Sequence, residues 1–202
     1  MKKIIRFLIA VILITTGNYT CTYAQETGSF TDGRDDKVYK TVKIVDQWWM
    51  SQNLAFKSDN GCFTYDDIED YVKIHGYLYN WETANNVCPQ GWHLPSDSEF
   101  EKLSNILGGP DAAGGKLKEA GTTHWNSPNA GATNSSGFSA LASGRSNDNE
   151  YKGYLGIMAF FWSSDEDDDE NAWGRALYST KGEFTRYYLE KNGGFSVRCI
   201  KD

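Results

Sequence analysis

The 202-residue sequence predicts an α+β domain, and three observations carry that reading. A helix start is written in Ser96-Asp97-Ser98-Glu99, with Phe100, Leu103, Ile106 and Leu107 on one helical face behind it. Strand-like alternation lies on both sides of that helix, at 38–50 and again between 157 and 200. Composition is globular, 40% apolar and 14% aromatic with 20 Gly against 4 Pro, which excludes collagen, coiled coil and wholesale disorder.

In chain order, Lys2, Lys3 and Arg6 precede an apolar run from Phe7 to Ile14, then Thr22-Tyr23-Ala24 leads to a cleavage point before Gln25. Residues 1–24 read as a secretory signal peptide, since the apolar block is far shorter than the roughly 20 residues of a membrane span. A competing reading makes Cys21 a lipid-bearing first residue, but Asn18-Tyr19-Thr20 are not the small or aliphatic residues expected there. Residues 25–36 are polar and aperiodic and read as a flexible tether, leaving 37–202 as a single domain. With the leader removed, 27 acidic residues face 17 basic ones, a surface poorly suited to nucleic acid. No transmembrane segment is expected, and the protein is expected to be secreted or held at the cell surface.

Val38 to Ile44, a break at Val45-Asp46, and Trp48-Trp49-Met50 suggest a β-hairpin. A first helix is expected from Asn80, an N-cap residue, ending before Cys88-Pro89. The second is the capping-box helix, stopped by Gly108-Gly109-Pro110. From Gly108 to Asn149 the chain is rich in Gly, Ser, Asn and Ala, and is expected to be a long irregular region with short helical or strand pieces. Strand patterns return at 157–163, 172–178, 184–189 and 195–200, with the acidic run Asp165–Glu170 as a loop between the first two.

Three cysteines, Cys62, Cys88 and Cys199, remain in the exported chain, so one bridge and one thiol are expected, or three reduced thiols. Period-two alternation puts Phe195, Val197 and Cys199 on one face of the last strand. If that face is the core, Cys199 meets Cys88 at the end of the first helix. The favoured pair is therefore Cys88 with Cys199.

The blocks TDGRDDKVYKTVKIVDQWWMSQNL, HGYLYNWETANNVCPQGWHLPSDSEFEKL, GFSAL, FWSSDE and GFSVRCIKD occur in this order from Thr31 to Asp202. Together they resemble the Fibrobacter succinogenes major paralogous domain, a family of exported or surface-attached bacterial proteins, often lipoproteins. The segments Leu94-Pro95 to Glu99-Phe100 and Gly194 to Arg198 are also similar to the formylglycine-generating-enzyme group. That similarity implies a C-type-lectin-like fold, two helices beside a twisted, mostly antiparallel sheet with long loops. Family members often carry further cysteines near Cys62, where this chain has Phe63, Thr64 and Tyr71, so Cys62 is open to being free.

Formylglycine-generating chemistry needs closely spaced reactive cysteines binding copper, a spacing this chain lacks, and no catalytic residue is assigned. His75, His93 and His124 form no zinc spacing, and His93 reads as a structural hydrogen-bonder. Asp165, Asp167, Asp169 and Glu170 offer oxygens to calcium, yet the run lacks EF-hand alternation, and a solvated loop is the plainer reading. Most of Trp81, Trp92, Trp125, Trp162 and Trp173 belong to the core. Trp125 is the Trp expected at the surface, with His124 and Arg145 as its candidate ligand-binding companions. No cofactor other than calcium is indicated. The expected function is a non-catalytic binding domain for a glycan or a surface protein, acting through the 110–155 region and the acidic loop. The alternatives are a structural or adhesive envelope component and, last, an enzyme.

Overall fold

A computed structural model describes residues 25–65, 68–147 and 151–202. The expected signal peptide 1–24, with Cys21, lies outside the described residues. The architecture is mostly β, in two open sheets with a few helices, and so agrees with the α+β reading at that level. One sheet runs in the order β1 (Thr27–Thr31), β2 (Val38–Ile44), β3 (Gln47–Met50), β13 (Ile200–Lys201), β6 (Trp92–His93). The residues expected to form a tether thus include an edge strand, because β1 pairs with all of Val38–Val42.

The second sheet runs β11 (Thr185–Glu190), β10 (Asn171–Tyr178), β9 (Met158–Glu166), β7 (Ser143–Asn147), β12 (Gly193–Ser196), β5 (Leu78–Tyr79), β4 (Cys62–Phe63). A further strand, β8 (Tyr151–Leu155), pairs with β7. Its middle is β9, where period-two alternation feeds two cores at once. Phe160 and Trp162 enter the core shared with Tyr79, Phe195 and Val197, while Ala159 and Phe161 enter the one shared with Trp49, Phe100 and Trp125.

Local signals place several elements. The 38–50 hairpin forms with Val45 at φ 60° in its turn. Helix α3 (Asp97–Ile106) carries the reciprocal Ser96–Glu99 capping box. Asn80 caps through Thr83 N at 3.0 Å, but the helix it opens, α2 (Trp81–Ala84), is one turn long. Two other helices appear. The first, α1 (Glu69–His75), starts at Ile68 without a side-chain cap. The second, α4 (Pro110–Leu117), is Gly-rich because it packs closely: a Cβ on Gly114 would lie 2.0 Å from Glu183 O, and one on Gly115 2.3 Å from Gly131 O.

The C-terminal pattern 195–200 is not one strand. Val197 O and Cys199 O accept from Leu54 N and Met50 N at 2.9 and 3.0 Å, and the chain crosses between the sheets there. Phe195, Val197 and Cys199 nevertheless share one core, and Cys199 is bonded to Cys88 across 111 positions, with Cys62 free.

Between Val197 and Cys199, Arg198 is 1% exposed. Its Nε donates to Asn53 Oδ1 at 2.7 Å, Nη1 to Met50 O and Phe138 O, and Nη2 to Ser139 O at 2.9 Å. Burial pushes its pKa down to about 9, so it stays charged at neutral pH. Lys118 does the same for the middle of the chain. Its Nζ donates to Ala130 O, Tyr178 O and Lys181 O at 2.8–2.9 Å, and burial lowers its pKa to about 8.

Candidate functional site

Within the 110–155 region expected to display loops, these two cations tie down Ala130, Phe138 and Ser139. Phe138, Ala140 and Ala142 are fully buried, and so is Trp125, at 1% exposure. The expectation of a surface Trp125 is therefore corrected. Its Nε1 donates to Ala140 O at 2.8 Å, and its ring packs in the core under Lys118, whose Nζ is 5.3 Å from the ring centroid. Apolar area and a satisfied indole N–H favour that interior place over water.

His124 lies beside it, half-buried, with Nδ1 at 2.9 Å from a Glu119 oxygen and its ring edge-on to His75 at 5.6 Å. Arg145 faces a different cavity from His124 and Trp125, so the three do not form one site. His93 bridges Asp202 and Glu99, at 2.7 and 3.1 Å, as a structural hydrogen-bonder.

The four carboxylates considered for calcium do not converge. Asp165 accepts from Asp97 N at 2.6 Å, capping α3 from outside. The loop closes instead on Asp168, which accepts from Glu170 N, Asn171 N and Asn171 Nδ2 at 2.7–3.0 Å. Those bonds hold its carboxyl below the usual range. Among the described residues, no group of three His, Cys, Asp or Glu side chains can hold a metal ion.

A serine–histidine contact exists in the core. Ser143 Oγ is 3.4 Å from His75 Nδ1, and Asn53 Nδ2 donates to the same Oγ at 3.0 Å while its Oδ1 takes the Arg198 bond. Ser143 and His75 are 1% and 6% exposed, and burial, with the nearby His124 charge, lowers the His75 pKa to about 4. This is a buried polar network joining chain segments, held at every member by hydrogen bonds.

An aromatic-lined concave site was not foreseen. It is a cleft of about 450 Å³ between the β7–β8 hairpin and β9, β10 and β11. Phe160, Leu189 and Phe195, all buried, lie at its apolar base. Tyr187 and Tyr188 on β11 stack on each other, with centroids 5.3 Å apart and planes 14° from parallel, and are 41% and 57% exposed. Tyr154, 37% exposed, also lines it, edge-on to Phe160 and 5.3 Å from the Arg145 guanidinium carbon. Its φ of 68° is uncommon for an aromatic residue, a backbone cost tolerated where surrounding structure enforces it. Glu190 supplies the acidic part of the lining. The consecutive tyrosines were the one legible signal, because a strand with one buried face cannot bury both.

The family model described as the Fibrobacter succinogenes major domain matches residues 42–201. No curated protein and no solved structure matches the chain. Among the described residues, no helix is long and apolar enough to cross a membrane.

Proposed function

We propose that this chain, which belongs to the Fibrobacter succinogenes major domain family, is an exported, cell-surface, non-catalytic carbohydrate-binding domain of C-type-lectin-like architecture. The observation that carries the reading is the stacked, exposed Tyr187–Tyr188 pair in a cleft it shares with Tyr154. A sugar ring presents C–H faces that match aromatic surface, and its hydroxyls find phenol, Arg145 and Glu190 partners around the cleft. Export is supported by the basic–apolar leader and by the Cys88–Cys199 bridge, a bond that persists in oxidising compartments. The lectin-like reading rests on the crossing of the C-terminal segment between sheets beside that bridge and on the long Lys118-anchored middle region.

A glycan array of the folded, oxidised protein tests this, run with calcium and with a chelator. Specific signals are expected in both conditions, because the acidic loop closes on its own hydrogen bonds. The double substitution Tyr187→Ala and Tyr188→Ala is expected to lower binding at least tenfold while circular dichroism stays unchanged. A blank array, or full binding by the double variant, overturns the reading.

A second reading, an envelope component that makes protein contacts, is favoured by one feature, the open edge of β11.

A further inference from the structure

We propose that β11 is a self-association edge, on which a second copy of this chain adds its own β11 antiparallel about a two-fold axis through Tyr188. β11 ends the larger sheet, and among the described residues the Thr185–Glu190 backbone pairs with β10 alone. An open edge of this length is a template for another strand unless something blocks it.

The side chains choose the occupant and the register. The strand reads Thr-Arg-Tyr-Tyr-Leu-Glu, with Arg186 and Glu190 equally spaced about Tyr188 on one face. A two-fold axis at Tyr188 sets each Arg186 opposite Glu190 of the second copy, twice, with Tyr188 facing Tyr188 between them. Directly opposed side chains in antiparallel strands have Cβ atoms about 5 Å apart, close enough for an ion pair. Shifted antiparallel registers oppose like charges or leave charges facing uncharged residues, and in-register parallel pairing stacks like on like. Charges that served only to keep strands apart would have no need to be complementary under this rotation.

Arg186 rests on the β10 side of the strand and must swing its free end outward for the contact. Its Nε donates to Asp97 Oδ2 at 2.7 Å and its guanidinium carbon lies 3.2 Å from the Trp173 ring centroid, while its two terminal nitrogens have no partner among the described residues. Glu190 is exposed and forms no ion pair among the described residues. The closed two-fold makes the contact isologous and finite rather than a filament. Because Tyr187 and Tyr188 belong to β11, both aromatic clefts then border the same axis.

A single strand pair is smaller than a standard stable interface, so the dimer is weak, with Kd in the range of about 1 μM to 1 mM. Sedimentation equilibrium across that range, without sugar, reads it independently of carbohydrate binding. The native protein is expected to dimerise and Glu190→Arg to weaken the dimer at least tenfold. Mixing Glu190→Arg with Arg186→Glu is expected to restore it as a heterodimer, because both ion pairs re-form, one as in the native dimer and one with signs exchanged.

Arg186 also holds Asp97, so a second measurement stands beside the swap in case Arg186→Glu fails to fold. Tyr188→Cys in a Cys62→Ser background puts two thiols at the axis, and a short bis-maleimide is expected to link them far faster than thiols from Val38→Cys. A native protein that stays monomeric at the top of the range, association indifferent to Glu190→Arg, or cross-linking no faster at 188 than at 38 overturns the proposal.

Discussion

Replacing Arg198 by Met keeps most of the side-chain volume and removes the fork that ties Asn53, Met50, Phe138 and Ser139 to the C-terminal segment. Leaving Phe138 O, Ser139 O and Asn53 Oδ1 without their donor costs about 1–3 kcal/mol each if they stay buried. The guanidinium also lies 4.6 Å from the Phe138 ring centroid, a contact of about 1 kcal/mol or more when desolvated. Against this stands the cost of keeping an unpaired charge in the interior, several kcal/mol, which the Met variant no longer bears. The balance is a net loss of about 3 kcal/mol. Urea unfolding followed by tryptophan fluorescence measures it, with a lower midpoint and an unchanged slope. Arg198→Lys is expected to lose about as much, since an ammonium cannot span the same acceptors. A loss under about 1 kcal/mol for Met would refute the reasoning, because the carbonyls would then have found other partners.

Three further outcomes concern the same scaffold. Removing the 111-position bridge with Cys88→Ser and Cys199→Ser is expected to cost about 4–5 kcal/mol in chemical denaturation, and a loss below about 1 would count against the chain-entropy account. His75 is held near a pKa of about 4, so between its ordinary value of 6.5 and 4 the unfolded chain binds a proton that the folded chain refuses. Stability therefore falls as pH drops through that window, by up to about 3 kcal/mol, and His75→Asn should flatten the slope there in pH-dependent unfolding. His93 acts with the opposite sign. Burial lowers its pKa, but the Asp202 and Glu99 bonds outweigh this and raise it. Its contribution is present below the unfolded pKa and fades as pH rises through the folded one.

Short-range physics made much of the fold legible. The Ser96 capping box, the Val45-Asp46 turn and Asn80 as a cap each satisfy backbone groups within a few residues, so the sequence alone places them. The Cys88–Cys199 bridge was readable because alternation in 195–199 predicts which face is buried, even though the expected single strand breaks there. By contrast, α1 has no side-chain cap, and α4 hides in a Gly-rich stretch whose glycines only make sense beside Glu183 and Gly131.

The sequence by itself determined the family, the α+β character and the second helix, because each depends on residue types at fixed spacing, and it favoured the bridge while leaving other cysteine states open. Tertiary structure decided which aromatics reach water. Trp125 reads as exposed among Gly and Asn, but Lys118 and Ala140 enclose it. Tyr178, Tyr187 and Tyr188 fall in expected strands and Tyr154 in none, but the packing of the β7–β8 hairpin against β9, β10 and β11 gathers all four into one cleft. Burial depends on what other segments arrive to cover a side chain. No local pattern holds that information, and here it is carried by two buried cations whose acceptors lie up to 148 positions away.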